Sequence, residues 1–113
     1  MQILIETDRN ITQTAQQDER TERTLRSAIG RFEQRLSRVQ IHLSDENSNK
    51  GGSDDKRCMI EARPEGLDPL AVQHKAATIE LAIDGASVKL GSALDSLFGR
   101  LDGRRPSGGD TAA

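Results

Sequence analysis

Residues 78–101, TIELAIDGASVKLGSALDSLFGRL, carry apolar side chains at Ile79, Ile83, Ala86, Leu90, Leu94, Leu97 and Leu101. Steps of three and four put these on one side of an α-helix, so the segment must lie on an apolar surface supplied by the rest of the chain. Thr78 stands where a capping hydroxyl is needed, and Gly103 followed by Pro106 ends the pattern. Asp84, Ser87, Ser92, Asp95 and Ser96 fall on the other face and are expected to meet water. Gly85 and Gly91 each weaken the helix by up to about 1 kcal/mol relative to alanine, which makes it dependent on tertiary packing.

The preceding chain offers that surface as short strands and one more helix. Residues 2–6 read as an opening strand with Ile3 and Ile5 on one face and Leu4 on the other. Residues 17–36 read as a first helix with a stripe of Leu25, Ala28, Ile29, Phe32 and Leu36, capped by Thr14 or Asp18. Residues 39–44 alternate, with Val39, Ile41 and Leu43 facing one way and Gln40, His42 and Ser44 the other, as in a half-buried strand. Residues 45–55, DENSNKGGSDD, hold no apolar side chain and are expected to form a mobile connection. Residues 56–63 form the next strand, with Cys58, Ile60 and Ala62 inward and Arg57, Met59, Glu61 and Arg63 outward. After a turn at residues 64–69, residues 70–77 form a last strand with Leu70, Val72, His74 and Ala76 on one side, unless KAATIEL extends the final helix backwards.

The order β-α-β-β-β-α predicts an α+β fold: a four-stranded mixed sheet with both helices packed on one face. The first helix suits a parallel crossover between strands one and two, and the later strands should be antiparallel neighbours. The other face of the sheet, with Gln40, His42, Arg57, Glu61 and Arg63, is expected to be wet. Residues 1–101 make the domain, and residues 102–113 a disordered tail.

Composition narrows the function classes. The chain has 113 residues, 34% hydrophobic and 30% charged, enough for one modest core. It has no Trp or Tyr and two Phe, so the core is aliphatic and stacking of bases on aromatic side chains is not its binding mode. The single Cys58 excludes an internal disulfide and fits a reducing compartment, and no apolar run of signal or membrane-spanning length occurs. The expected setting is the cytoplasm. His42 and His74 lie on different strands with no nearby ligand set, and NKGGSDD lacks the Lys-Ser/Thr pair and following helix of a phosphate loop. No nucleophile, base and orienting group can be assembled, so the chain is read as a non-enzyme without cofactor or metal.

Charge on the helices carries the remaining signal. With 100° per residue and Leu25 as zero, Arg20, Arg31, Arg35 and Arg38 cluster between roughly 220° and 280°, if helical register runs on to Arg38. Glu19, Glu22 and Glu33 fall between roughly 60° and 120° on the other flank, with only Arg26 among them. Measured from Leu90, Lys89 and Arg100 lie near roughly 260° and 280°, so each helix has a basic flank of the same hand. Arginine suits bidentate phosphate contacts, although flanks of this kind are also simply solvated. The formal net charge is −2, so nucleic-acid binding requires a local basic patch.

In order and spacing, the opening Met1-Gln2-Ile3, the helix LRSAIGRFEQRLSRV, the strand VQIHL, the strand-turn KRCMIEARPEG, and Ala82-Ile83-Asp84 with Lys89-Leu90 resemble the short ribosome hibernation promoting factor and ribosome-associated inhibitor family. The resemblance spans residues 1–101. It implies a fold like a double-stranded-RNA-binding domain with an extra strand. It also implies a monomeric, non-catalytic protein whose partner is the small ribosomal subunit and its RNA, with no membrane and no small-molecule substrate. On these terms Arg20, Arg31, Arg35, Arg38, Lys75, Lys89 and Arg100 are the expected RNA contacts. The chain departs from the family in having few lysines on its helices and a net acidic charge. That keeps open a second reading, a protein–protein module using Met59 and Arg63 on the open sheet face, or an acidic helix flank.

Overall fold

The computed structural model describes residues 1–46 and 55–103. The elements run β1 (Gln2–Thr7), α1 (Ala15–Ile29), a 3-10 turn (Gly30–Arg35), β2 (Leu36–Asp45), β3 (Lys56–Pro64), β4 (Leu70–Ala76) and α2 (Ile79–Leu101). Most of the connection expected to be mobile, and the tail from residue 104 onwards, lie outside the described residues.

The sheet has the order β1-β2-β3-β4, with β1 parallel to β2 and the other two pairs antiparallel. This is the expected mixed sheet. The register sets Ile3 beside Val39, Ile5 beside Ile41 and Ile41 opposite Ile60, which collects the strand hydrophobics on one face. Val39, Ile41, Leu43, Cys58, Ile60 and Ala62 are buried there against Leu25, Ile29, Ile83, Leu90 and Leu94 of the helices. Residues 75 and 76 complete β4 by pairing with Arg57 and Lys56, so KAATIEL does not extend α2 backwards. Thr78 starts the helix instead, its hydroxyl accepting from Leu81 N at 3.1 Å.

Thr14, not Asp18, caps α1. Its hydroxyl accepts from Gln17 N at 3.1 Å and the Gln17 side chain accepts from Thr14 N at 2.8 Å, a reciprocal box that satisfies two otherwise unpaired amides. The first helix departs from expectation at its other end. α-Helix gives way at Gly30 to a tighter turn that keeps Phe32 in the core, 5.3 Å from the Phe98 ring. β2 then begins at Leu36, three residues earlier than expected. The reason is a bulge: Leu36 faces Pro64 and Arg38 faces Arg63, leaving Ser37 without an opposite residue. Two outward residues in succession break the alternation by which a strand is recognised.

On α2 the buried row is Ala82, Ile83, Ala86, Ser87, Leu90, Gly91, Leu94 and Phe98. Ser87 is therefore not on the wet face. At about 100° per residue its position falls between Leu94 and Phe98 on the inward side, and it is buried with no hydrogen-bond partner for its hydroxyl among the described residues. Leu101 is 51% exposed, because a 23-residue helix about 34 Å long outruns the surface beneath it. Gly103 ends it with φ +70°, a conformation that favours glycine. Gly91 has a packing reason: a Cβ there would come within 3.1 Å of Ala28 O, so the two helices approach closely at this point.

Candidate nucleic-acid interface

Three of the candidate arginines lie along the groove between α1 with its 3-10 turn and α2. Each meets an acid from α2 or its C-cap. Arg20 Nη1 is 3.6 Å from Glu80 Oε2, and Arg31 Nη2 is 3.6 Å from Asp95 Oδ2. Arg35 makes two bonds to Asp102, at 3.0 and 3.1 Å, and its guanidinium lies 3.9 Å from the centre of the Phe98 ring. Asp102, assigned to the tail from sequence, is thus part of the domain. Arg31 covers the Phe32 ring at 4.5 Å and donates to Ala28 O at 3.2 Å. The segregated arginine flank exists, but it faces a row of carboxylates that matches it. The pairs are solvent-exposed, so each contributes only about 0–1 kcal/mol and can exchange for another anion.

The remaining candidates do not join this row. Arg38 is not on a helical flank at all; it lies on β2, where helical register has ended, and faces the open side of the sheet with Gln40 and His42. Lys75 is also on the open face, with Nζ 2.9 Å from Glu46 Oε1. The Lys75 hydrogen bond, with help from Arg57, holds the Glu46 carboxyl below its usual range. Lys89 leans the other way, donating to Gln73 O of the edge strand β4 at 2.9 Å and occupying a carbonyl that an edge leaves unpaired. Counted at 100° per residue from Glu80, the α2 positions Asp84, Gly91, Asp95 and Asp102 fall within about 60°, while Lys89 and Arg100 fall near about 180° and 200°. The basic flanks of the two helices therefore do not converge. Position along a helix fixes a face; it does not say which neighbour that face meets.

On the open face, Glu6 accepts from Gln40 at 2.9 Å and lies 3.2 Å from His42 Nδ1, while Glu46 takes Arg57 at 3.3 Å as well as Lys75. Leu4 and Met59 supply apolar patches between these groups. A cleft of about 320 Å³ opens between the β1–α1 connection and the N-terminal turns of both helices, with Gln13, Arg20, Asp45, Lys56, Glu80 and Asp84 in its wall. Lys56 there is held by Asp55 at 3.0 Å and Asp45 at 3.4 Å; the bond to Asp55 chiefly raises its pKa. Neither histidine nor cysteine reaches the cleft. Burial pushes the Cys58 thiol up to about 12, which leaves it protonated and unreactive in the folded protein. Among the described residues no group of three or more His, Cys, Asp or Glu side chains is placed to hold a metal, and no helix is long and apolar enough to cross a membrane.

Comparison with known proteins places this geometry. Residues 4–102 match the family described as sigma 54 modulation protein / S30EA ribosomal protein. Two solved structures share the fold. One is the N-terminal domain of Thermus thermophilus Protein Y, 22% identical, with a TM-score of 0.65 over 86% of this chain and 99% of that one. The other is a ribosomal subunit interface protein from Coxiella burnetii, 18% identical, with a TM-score of 0.69 over 87% of this chain and 98% of that one. At these identities the likeness is one of fold. A comparison with curated proteins gives no match.

Proposed function

Because the chain belongs to the sigma 54 modulation protein / S30EA ribosomal protein family, we propose that it is a ribosome hibernation factor. In this reading it docks as a cytoplasmic monomer on the small ribosomal subunit, contacts ribosomal RNA phosphates through basic side chains, and blocks translation without turning over any substrate. Family membership across residues 4–102 is the observation that carries the proposal. The arginine row supports it, since the exposed, exchangeable pairs to α2 acids leave Arg20, Arg31 and Arg35 available to stronger anions.

The mechanism that follows is an exchange. RNA phosphates take over guanidinium groups now held by Glu80, Asp95 and Asp102, and those carboxylates turn to water. Net affinity is then the phosphate gain less the loss of three weak pairs, and binding depends strongly on salt. Four to six phosphate contacts give a slope of about −3 to −5 in log K against log salt.

The test is co-sedimentation with purified small subunits across roughly 50–300 mM salt, chosen to span the range where counterion release dominates. Arg20→Gln with Arg31→Gln is expected to weaken binding and flatten the slope by about 1.4–1.8. Glu80→Gln with Asp95→Asn is expected to tighten binding, because it removes the competing anions. Absence of wild-type binding at the lowest salt sinks the ribosome reading. A shallow slope with sensitivity to Met59 substitution points instead to a protein partner.

A further inference from the structure

We infer that Arg38 and Arg63, at the bulged end of the open sheet face, together form a second RNA-phosphate site, separate from the arginine row on the helices. The inference rests on the RNA-binding reading above and specifies where on this chain a backbone phosphate is gripped.

The two residues are direct cross-strand partners in the β2–β3 register, and both point away from the core, since their neighbours Val39 and Ala62 are buried on the opposite face. Like charges placed opposite one another in an antiparallel pair destabilise it. Other cations of this face are offset by an acid: Arg57 and Lys75 by Glu46. Among the described residues, neither Arg38 nor Arg63 has an ion pair or a side-chain hydrogen bond. Glu61, two positions along β3 on the same face and opposite Gln40, pairs with neither.

The two arginines are the last regular pair of the β2–β3 ladder before the bulge. The regular ladder that starts at Asp45–Lys56 ends at Arg38–Arg63, and the shift at Ser37 falls between that pair and Leu36–Pro64. The Ser37 hydroxyl donates to Arg63 O at 3.1 Å, tying the irregular residue to the partner strand. Bulges of this kind re-aim side chains next to functional sites. The register thus sets two arginine side chains side by side at their bases, with ten N–H donors between their guanidinium forks, five each, and no acceptor for them among the described residues. The ligand that satisfies two such forks at once is a phosphodiester, whose two free oxygens accept bidentate bonds and whose charge removes the repulsion. The chemistry distinguishes this pair from Arg20, Arg31 and Arg35, each of which lies beside a carboxylate of α2 or its C-cap.

The experiment compares wild type with Arg38→Gln/Arg63→Gln and with Arg38→Lys/Arg63→Lys, in two binding titrations over a range of salt. One uses purified small subunits and the other a fluorescein-labelled 20-nucleotide uridine RNA. Loss of two phosphate contacts is expected to flatten the log–log slope by about 1.4–1.8, which is about 25- to 60-fold in affinity at 0.1 M salt if the effect vanishes at 1 M. The lysine pair should keep the slope and lose part of the affinity, since it keeps charge without the fork. The glutamine variant should melt at or slightly above the wild-type temperature, because it removes a repulsion. Wild-type binding to subunits with an unchanged slope in the glutamine variant overturns the inference and leaves the ribosome reading standing. Binding to the uridine RNA alone, lost in the glutamine variant, supports the phosphate site while the ribosome reading fails. No binding to either probe at about 50 mM salt, where phosphate contacts are strong, overturns both.

Discussion

Replacing Gly85 by alanine should go against the rule for helix interiors. On propensity alone the change gains about 0.8–1 kcal/mol. In the fold, a Cβ at position 85 would overlap the His74 imidazole of β4, at Cγ as well as at the ring tip. A ring tip can swing aside, but Cγ is one bond from Cβ, so relief needs a new χ1 or a displacement of β4 from α2. Overpacking of this kind costs about 1–3 kcal/mol. The net expectation for Gly85→Ala is a loss of about 0–2 kcal/mol, the difference of the two terms. In a His74→Ala background the obstacle is gone, and the same change should gain its full propensity term.

The four proteins form a cycle whose coupling energy is the overpacking term itself, about 1–3 kcal/mol. With no Trp or Tyr in the chain, urea unfolding is best followed by far-ultraviolet circular dichroism. Each 1 kcal/mol corresponds to about 4–8 °C in midpoint temperature for a domain of this size, so thermal melts give an independent reading. A coupling below about 0.5 kcal/mol, within the additivity expected of independent sites, would refute the close approach of α2 to β4 at Gly85.

Two further outcomes follow from the core. Leu90, fully buried between sheet and helices, should cost about 2–5 kcal/mol on change to alanine in urea melts, and a loss below about 1 kcal/mol would mean that α2 is not packed on the sheet. Cys58 should resist iodoacetamide at pH 8 until denaturant is added; its raised pKa also makes stability fall as pH rises from about 8.5 towards about 12, because only the unfolded chain ionises in that window. Flat stability across pH 9–10.5, inside that window, would argue against a buried thiol.

How much of this was legible beforehand depended on whether the information was local. Alternation and helical spacing sufficed for the sheet, its parallel first pair and the inward sets Val39–Ile41–Leu43 and Cys58–Ile60–Ala62, because burial on one face imposes a period. Thr78 announced α2, and Thr14 capped α1 through Gln17, three residues on. What failed were the places where period breaks. The 3-10 turn changes the angle per residue after Gly30, and the bulge at Ser37 inserts a residue, so running α1 on to Arg38 put that side chain on the wrong surface. Ser87 shows that a polar side chain is no sign of exposure when its angular position on the helix is inward.

The candidate site was legible as a set of residues and illegible as a field. Arg35 and Asp102 are 67 residues apart, and nothing in either segment announces the other. The net charge of −2 makes RNA binding depend on a local basic patch, and a net charge sums over pairs that cancel locally. On this fold much of the acid is committed: Glu80, Asp95 and Asp102 to the helix arginines, Glu46 to Arg57 and Lys75, Asp45 and Asp55 to Lys56. At contact range a phosphate therefore meets groups, not totals, and beyond a Debye length of about 8 Å in physiological salt the distant acids are screened. Arg38 and Arg63 are the pair for which no such cancellation occurs among the described residues. An overall acidic chain can thus carry a locally unbalanced basic pair, and it is on that imbalance, at the bulged end of the β2–β3 ladder, that discrimination between an RNA phosphate and an acidic protein surface can be measured.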